Sequence, residues 1–194
     1  RRLIINKKHT HLIEDICKKA TQLTIHTYPS KKQPFMGPVV LPSVKQQILS
    51  QSFSQSKTML TSNQIGEGGL ISPRIEHCSQ SFKFDDELFG PILFITLSDS
   101  FEESIQLANN TNYGLTSSIY TTKKQQYLYA QQNINAGIIN WNNPTTGASG
   151  LAPFGGVKNS GNNRPGGFCM IDHCFMPIGT TQSKIIEPIK YPGL

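Results

Sequence analysis

The chain has 194 residues, 37% of them hydrophobic, enough for one globular domain with its own core. Its 16 glycines and 12 prolines are scattered rather than repeated, which excludes collagenous and low-complexity disordered classes. The net charge of +6 raises nucleic acid or an anionic membrane as partners. However, the basic residues come as separated pairs (Arg1-Arg2, Lys7-Lys8, Lys18-Lys19, Lys31-Lys32, Lys123-Lys124) with no zinc-finger or RNP-type pattern, so they read as solvated surface and no nucleic-acid partner is expected.

The apolar run at residues 3–6 reads as a buried strand already in progress, and residue 1 is Arg rather than Met, so a piece of a longer protein is expected. Thr10 is placed to cap a helix running to about Ala20, with Leu12, Ile13, Ile16, Cys17 and Ala20 on one face. Ser43 and Gln46 predict a second capped helix. Residues 58–60 read as a strand, and residues 66–69 as a glycine turn. Pro73 divides residues 70–72 from residues 74–76 and predicts an edge or kinked strand there.

A loop over residues 85–91 leads into a strand at 92–97. Ser100 and Glu103 then predict a capping box for the next helix. A strand at 116–120, a helix from Thr122 to about Ile134 and a strand at 138–141 follow. This alternation over residues 92–142 predicts a parallel α/β sheet. Residues 143–167 form a long polar, glycine-rich loop, the kind that carries function. Residues 168–182 are expected to be an interface strand and residues 183–194 a loose tail.

The four cysteines, Cys17, Cys78, Cys169 and Cys174, form no Cys-x-x-Cys pair and match no common zinc spacing, so no metal is expected and free thiols in a reducing compartment are. No apolar run is long enough to span a bilayer, and the N-terminus has no signal region. A cytoplasmic location without a membrane partner is the expectation.

Four stretches then occur in order. Asp86-Glu87-Leu88-Phe89-Gly90-Pro91 precedes an apolar strand; Leu107-Ala108-Asn109 leads to Tyr113-Gly114-Leu115; Gly137 is followed by Ile138-Ile139-Asn140-Trp141-Asn142; and Pro153-Phe154-Gly155-Gly156 ends in Ser160-Gly161. Each alone is weak, but together they resemble the signatures of the aldehyde dehydrogenase family. The resemblance covers residues 85–161 firmly and extends over residues 1–182. It implies the parallel-sheet catalytic domain of that fold over residues 1–167, lacking its N-terminal part, and an oligomerisation strand over 168–182. It also implies NAD as cofactor, with NADP not excluded, a small semialdehyde as substrate and a homo-oligomer.

Arg1-Arg2-Leu3-Ile4-Ile5 resembles the strand that follows the family's nucleophilic cysteine, so that cysteine and the general-base glutamate are expected upstream of Arg1. No catalytic residue is assigned within the chain. By resemblance, Glu87 would accept hydrogen bonds from the nicotinamide ribose, a role suited to a carboxylate, and Phe89 would pack beside it. Phe154 would line the aldehyde tunnel. Thr146, Gly147 and Ala148 resemble the carboxylate-anchoring loop of enzymes acting on glutamate-type semialdehydes. Together with Asn140-Trp141-Asn142 and the stretch from Gly161 to Pro165, this loop most resembles the N-succinylglutamate-semialdehyde dehydrogenases of arginine breakdown. The alternatives are a glutamate-semialdehyde (pyrroline-5-carboxylate) dehydrogenase and a catalytically dead remnant kept as an interaction module. Arg164 is a candidate for a second carboxylate, and Asn142 for a loop brace.

Overall fold

The computed structural model describes residues 1–27, 33–163, 166–186, 188 and 192–193. Strand β1 (Arg2–Asn6) opens the chain, followed by a 3-10 turn (Lys7–His9) and helix α1 (His11–Thr21). Thr10 precedes α1 but makes no side-chain cap. Helix α2 (Pro42–Ser50) begins two residues earlier than Ser43 would allow as a cap. Pro42 stands in its first turn instead, where a missing N–H breaks no helical bond.

Strands β2 (Ser56–Leu60), β3 (Arg74–Cys78) and β4 (Ile92–Ser98) join β1 in a four-stranded sheet of order β1-β4-β3-β2. β1, β4 and β3 run parallel, and β2 is antiparallel at the edge. β3 is therefore an interior strand, not the edge strand expected from Pro73. The proline lies just outside the ladder, and the first ladder residue, Arg74, donates its N–H to the Pro91 carbonyl (2.8 Å). Residues 70–72 form only an isolated bridge, between Ile71 and Gln64.

Two apolar clusters cover the sheet. Ile5, Ile13, Ile75 and Ile95 meet Ile16, Cys17 and Ala20 of α1. Cys78, Leu88, Ile92 and Phe94 meet Phe53, Phe82 and Phe84, whose rings stand 5.0–6.4 Å apart.

Helix α3 (Phe101–Asn109) carries the expected Ser100 cap, whose hydroxyl accepts from the Glu103 N–H (3.1 Å). Strands β5 (Tyr113–Gly114) and β6 (Thr116–Ile119), helix α4 (Lys124–Asn133) and strand β7 (Ile138–Trp141) follow. Thr122 does not cap α4, which starts two residues later behind Lys123 without a side-chain cap. β6 and β7 pair in parallel but form their own two-stranded ladder instead of extending the larger sheet, so the single parallel sheet expected over residues 92–142 is divided in two. Ile105, Ala130 and Ile134 form the core between α3, α4 and this ladder.

The long loop contains three two-residue strands, β8 (Pro153–Phe154), β9 (Val157–Lys158) and β10 (Gly166–Gly167). β9 pairs antiparallel with β5, and β10 with β8. The strand expected over residues 168–182 does not form in the single chain: Phe168–His173 make a 3-10 turn, and residues 174–182 join no ladder. An interface strand takes its ladder bonds from a partner's edge, which a single chain does not supply. Among the described residues no helix is long and apolar enough to cross a membrane, and no group of three or more His, Cys, Asp or Glu could hold a metal ion.

Candidate functional site

Residues 85–91 form a loop fastened at both ends. At its start the Asp85 carboxylate accepts from the Thr111 hydroxyl (2.5 Å) and the Asn112 N–H (2.6 Å). At its end the Pro91 carbonyl is held by Arg74, and Gly90 sits so tightly that a Cβ there would lie 2.0 Å from Ile48 Cδ1. Between these anchors Leu88 is 2% exposed in the phenylalanine cluster. Glu87 is exposed and Phe89 is 62% exposed.

Arg1 covers this outward pair. Its guanidinium makes an ion pair with Glu87 Oε1 (2.8 Å) and lies over the Phe89 ring, 5.5 Å from the centroid. Partial desolvation lowers the Arg1 pKa from its ordinary value, and nearby Tyr113 opposes that shift. Arg2 points the other way and donates to the last-turn carbonyls of α3, Leu107 (2.6 Å) and Ala108 (3.3 Å), where a cation complements the helix dipole.

The second element is the loop from Asn142 to Ala152. Asn142 has φ +52° and bridges to Thr121, accepting from its N–H (2.9 Å) and donating to its carbonyl (3.0 Å). The brace role expected of Asn142 is thus the one it plays. Asn140 donates to the Pro144 carbonyl (2.7 Å), and the Ser118 hydroxyl donates to that of Asn143. At the far end Ala152 N–H bonds to the Ser149 carbonyl (3.3 Å). Thr146, Gly147 and Ala148 lie exposed between these braces, with Gly147 at φ +80°. Their N–H groups donate to no protein acceptor among the described residues.

Phe154 is 42% exposed on β8. Among the described residues no hydrogen bond, ion pair or ring contact joins Glu87 or Phe89 to Thr146, Gly147, Ala148 or Phe154. The chain thus presents two candidate walls, and Arg164 lies outside the described residues.

The glycine signatures lock these walls to the scaffold. Gly137 and Ile138 donate to the carbonyls of Gly114 and Leu115 (3.0 and 3.1 Å), and a Cβ on Gly137 would lie 1.6 Å from the Gly155 carbonyl oxygen. Gly161 packs equally tightly on Gly156. The Ser160 hydroxyl accepts from the Gly114 N–H (3.0 Å). Lys158, at φ +54°, donates to the carbonyls of Asn109 (2.9 Å) and Thr111 (2.8 Å). The bracing by Arg1, Asp85, Lys158 and Ser160 was not assigned from the sequence. Its one legible signal was the placement of Ser160-Gly161 shortly after the double glycine.

Neither Cys17 nor Cys78 is an activated nucleophile. Burial, then Glu76, pushes the Cys78 thiol up to about 12 against the opposing pull of Arg2, and Cys78 is 3% exposed. Burial, then Glu14, also raises Cys17. A raised pKa leaves a thiol protonated and unreactive at neutral pH.

The profile of the aldehyde dehydrogenase family matches residues 1–176. The N-succinylglutamate 5-semialdehyde dehydrogenase of Legionella pneumophila (strain Corby) is 35% identical over 100% of this chain and 41% of its own length. The enzyme of that name from Serratia proteamaculans (strain 568) is 34% identical over 89% of the chain and 36% of its own length. The chain therefore spans about two fifths of the length of these relatives. Among solved structures, a 1-pyrroline-5-carboxylate dehydrogenase from Thermus with bound NAD superposes with a TM-score of 0.77 at 29% identity, over 88% of this chain and 35% of that one. A salicylaldehyde dehydrogenase from Pseudomonas putida G7 gives 0.78 at 25%, over 89% and 37%. With the fold, the ordered signatures and a family match over nine tenths of its length, the chain belongs to the aldehyde dehydrogenase family.

Proposed function

We propose that the protein carrying this chain oxidises N-succinylglutamate 5-semialdehyde to N-succinylglutamate with NAD(P), a step of arginine breakdown, and that this chain supplies a cofactor wall and a substrate wall. The observation that carries the substrate reading is the braced arch at Thr146, Gly147 and Ala148. It offers three N–H groups without protein acceptors among the described residues, and its middle residue, Gly147, lies in the left-handed region. Successive backbone N–H groups in such a turn suit a carboxylate. Likeness to relatives named for a dicarboxylic semialdehyde over the whole chain supports the same reading.

The residues of the first wall fit a nicotinamide ribose. Glu87 presents an exposed carboxylate able to accept from a diol, and Phe89 presents an apolar ring face beside it. The rigid anchoring of Leu88 and Gly90 holds both without a cost paid on binding. The Arg1 guanidinium is already paired with Glu87 (2.8 Å) and restricts its side chain. The bound dinucleotide supplies the hydride acceptor. Phe154 excludes water from the reacting carbon, and the arch fixes the distal carboxylate and so the approach of the aldehyde. The thiol nucleophile comes from outside the four cysteines present, so the 194 residues alone hold no complete site. Residues 168–182 serve subunit pairing.

The test is aldehyde-dependent NADH formation with N-succinylglutamate semialdehyde by the full-length protein, against glutamate semialdehyde as competitor. Preference for glutamate semialdehyde would replace this reading with the pyrroline-5-carboxylate one, which the Thermus structural likeness favours. The 194-residue chain by itself is expected to form no NADH, and measurable turnover by it would refute the placement of the nucleophile elsewhere.

A further inference from the structure

β3 is an interior strand, yet it carries a buried ion pair. Arg74 and Glu76, two residues apart and so on the same face, have side chains only 9% and 1% exposed and meet at 2.7 Å (Nε to Oε1). Ser56 and Thr58 of β2 donate to the two Glu76 oxygens (2.8 Å each), so the carboxylate is fully engaged. The other half of the Arg74 fork does something different. Nη1 donates to the Ile48 (2.8 Å) and Gln51 (2.7 Å) carbonyls, at the C-terminal end of α2, and the guanidinium lies 4.8 Å from the Phe53 ring centroid. The pair is thus a cation clamped to a helix end, with Glu76 setting its direction.

What Arg74 clamps is the support of the cofactor wall. Ile48, whose carbonyl it holds, places its side chain against Gly90. Phe53, whose ring it covers, stacks edge-on with Phe84 and Phe94 in the cluster that buries Leu88. The Arg74 backbone N–H holds the Pro91 carbonyl. Three contacts of one residue therefore converge on residues 88–91 from outside the loop. An apolar pair at these positions would give a core of comparable stability, since buried ion pairs are often matched by hydrophobic replacements. It would provide no donor for the α2 carbonyls.

We propose that Arg74 is a positioning residue for the loop that presents Glu87 and Phe89, acting through the end of α2 and not by touching cofactor. The proposal rests on the reading of Glu87 and Phe89 as the cofactor wall. The test compares Arg74→Met, Arg74→Lys and the double variant Arg74→Met/Glu76→Met in the full-length protein. Amide exchange at Gly90 and Ile92 and the KM for NAD against kcat are the readouts.

Arg74→Met is expected to speed exchange of both amides about tenfold, the size of one lost charge-assisted hydrogen bond, and to raise KM with kcat little changed. Arg74→Lys returns part of both effects, since an ammonium keeps the charge but not the fork. The double variant removes the uncompensated Glu76 and recovers the melting temperature lost by Arg74→Met. Its exchange and KM stay altered, because the Ile48 and Gln51 carbonyls still lack their donor. If Arg74→Met does not fold, the double variant carries the same readouts. Parental exchange at Gly90 and Ile92 in the double variant would overturn the proposal, leaving Arg74 a stability residue. A parent protein that never takes NAD would instead overturn the reading of Glu87 and Phe89, while the exchange measurement still decides Arg74.

Discussion

Gly137→Ala gives the sharpest test of how the signature glycines work. A Cβ on residue 137 would lie 1.6 Å from the Gly155 carbonyl oxygen and 2.7 Å from its carbon, both backbone atoms that cannot rotate away. Real Cβ atoms essentially never approach closer than 3.0 Å, so β7 and the Gly155-Gly156 turn must separate by at least 1.4 Å (3.0 minus 1.6). That movement takes the Gly137 and Ile138 N–H groups, now 3.0 and 3.1 Å from the Gly114 and Leu115 carbonyls, out of hydrogen-bond range. Two lost bonds cost about 2 kcal/mol, and the overpacking adds about 1–3 kcal/mol. The expected total of about 3–5 kcal/mol is a large part of the roughly 5–15 kcal/mol that holds a domain folded. Urea unfolding with linear extrapolation measures it. Gly147→Ala is the internal control: its Cβ meets nothing within 4 Å, and only the φ of +80° opposes it, at about 1–2 kcal/mol confined to an exposed loop. A Gly137→Ala loss no larger than that of Gly147→Ala would refute the claim that backbone contact, rather than backbone conformation, selects this glycine.

Glu87→Gln should raise KM for NAD several-fold in the full-length protein while leaving the melting temperature almost unchanged, because its half-exposed ion pair with Arg1 stabilises the fold little; an unchanged KM would remove Glu87 from the cofactor wall. Gly147→Val should raise KM for the semialdehyde and spare that for NAD, since it strains only the arch; an equal rise in both would deny the separation into two walls. Cys78 should be the last cysteine alkylated in the native protein at pH 8, after exposed Cys174. Its thiol pKa is raised on folding from the ordinary value of 9.0 to about 12, so the folded state holds its proton where the unfolded chain releases it. The stabilisation is complete below pH 9 and is lost as pH climbs toward 12; urea unfolding showing stability gained over that range would contradict the assignment.

Local signals with a one-to-one physical cause were legible in the sequence. The Ser100 cap, a helix ending near Ile134 and the strand–helix–strand alternation behind the parallel pairing of residues 116–119 with 138–141 follow from local hydrogen bonding and side-chain patterning. Signals that depend on neighbours distant in sequence were misread. Pro73 argued for an edge strand because its missing N–H was counted inside the ladder, and only the pairing of β3 with β4 shows that the ladder starts one residue later. Thr10, Ser43 and Thr122 have the chemistry of caps, but none of them caps its helix through a side-chain hydrogen bond. At the candidate site, Glu87 and Phe89 were singled out by family resemblance, whereas the contacts of their loop with Arg1, Ile48 and Arg74, 13 to 88 positions from them in sequence, were not legible.

The same contrast separates the glycine-rich signature residues from the candidate substrate loop. Gly114, Gly137, Gly155, Gly156, Ser160 and Gly161 contact one another through backbone atoms and one hydroxyl, tying β5, β7 and β9 into a single knot. A knot of backbone contacts tolerates no side chain, so sterics dictate glycine at its close approaches. The loops entering and leaving it are free to vary, because they need only begin and end at its fixed points. Residues 85–91 are tied to the knot through Asp85 and the backbone at Asn112, and residues 142–152 leave it at Trp141 and rejoin it at Pro153. On the proposed reading, substrate preference therefore belongs to Thr146, Gly147 and Ala148. Exchanging residues 144–150 for those of a relative with another aldehyde should change which semialdehyde is oxidised while leaving unfolding unchanged. A loop exchange that unfolds the protein as strongly as Gly137→Ala would show that the arch belongs to the knot after all.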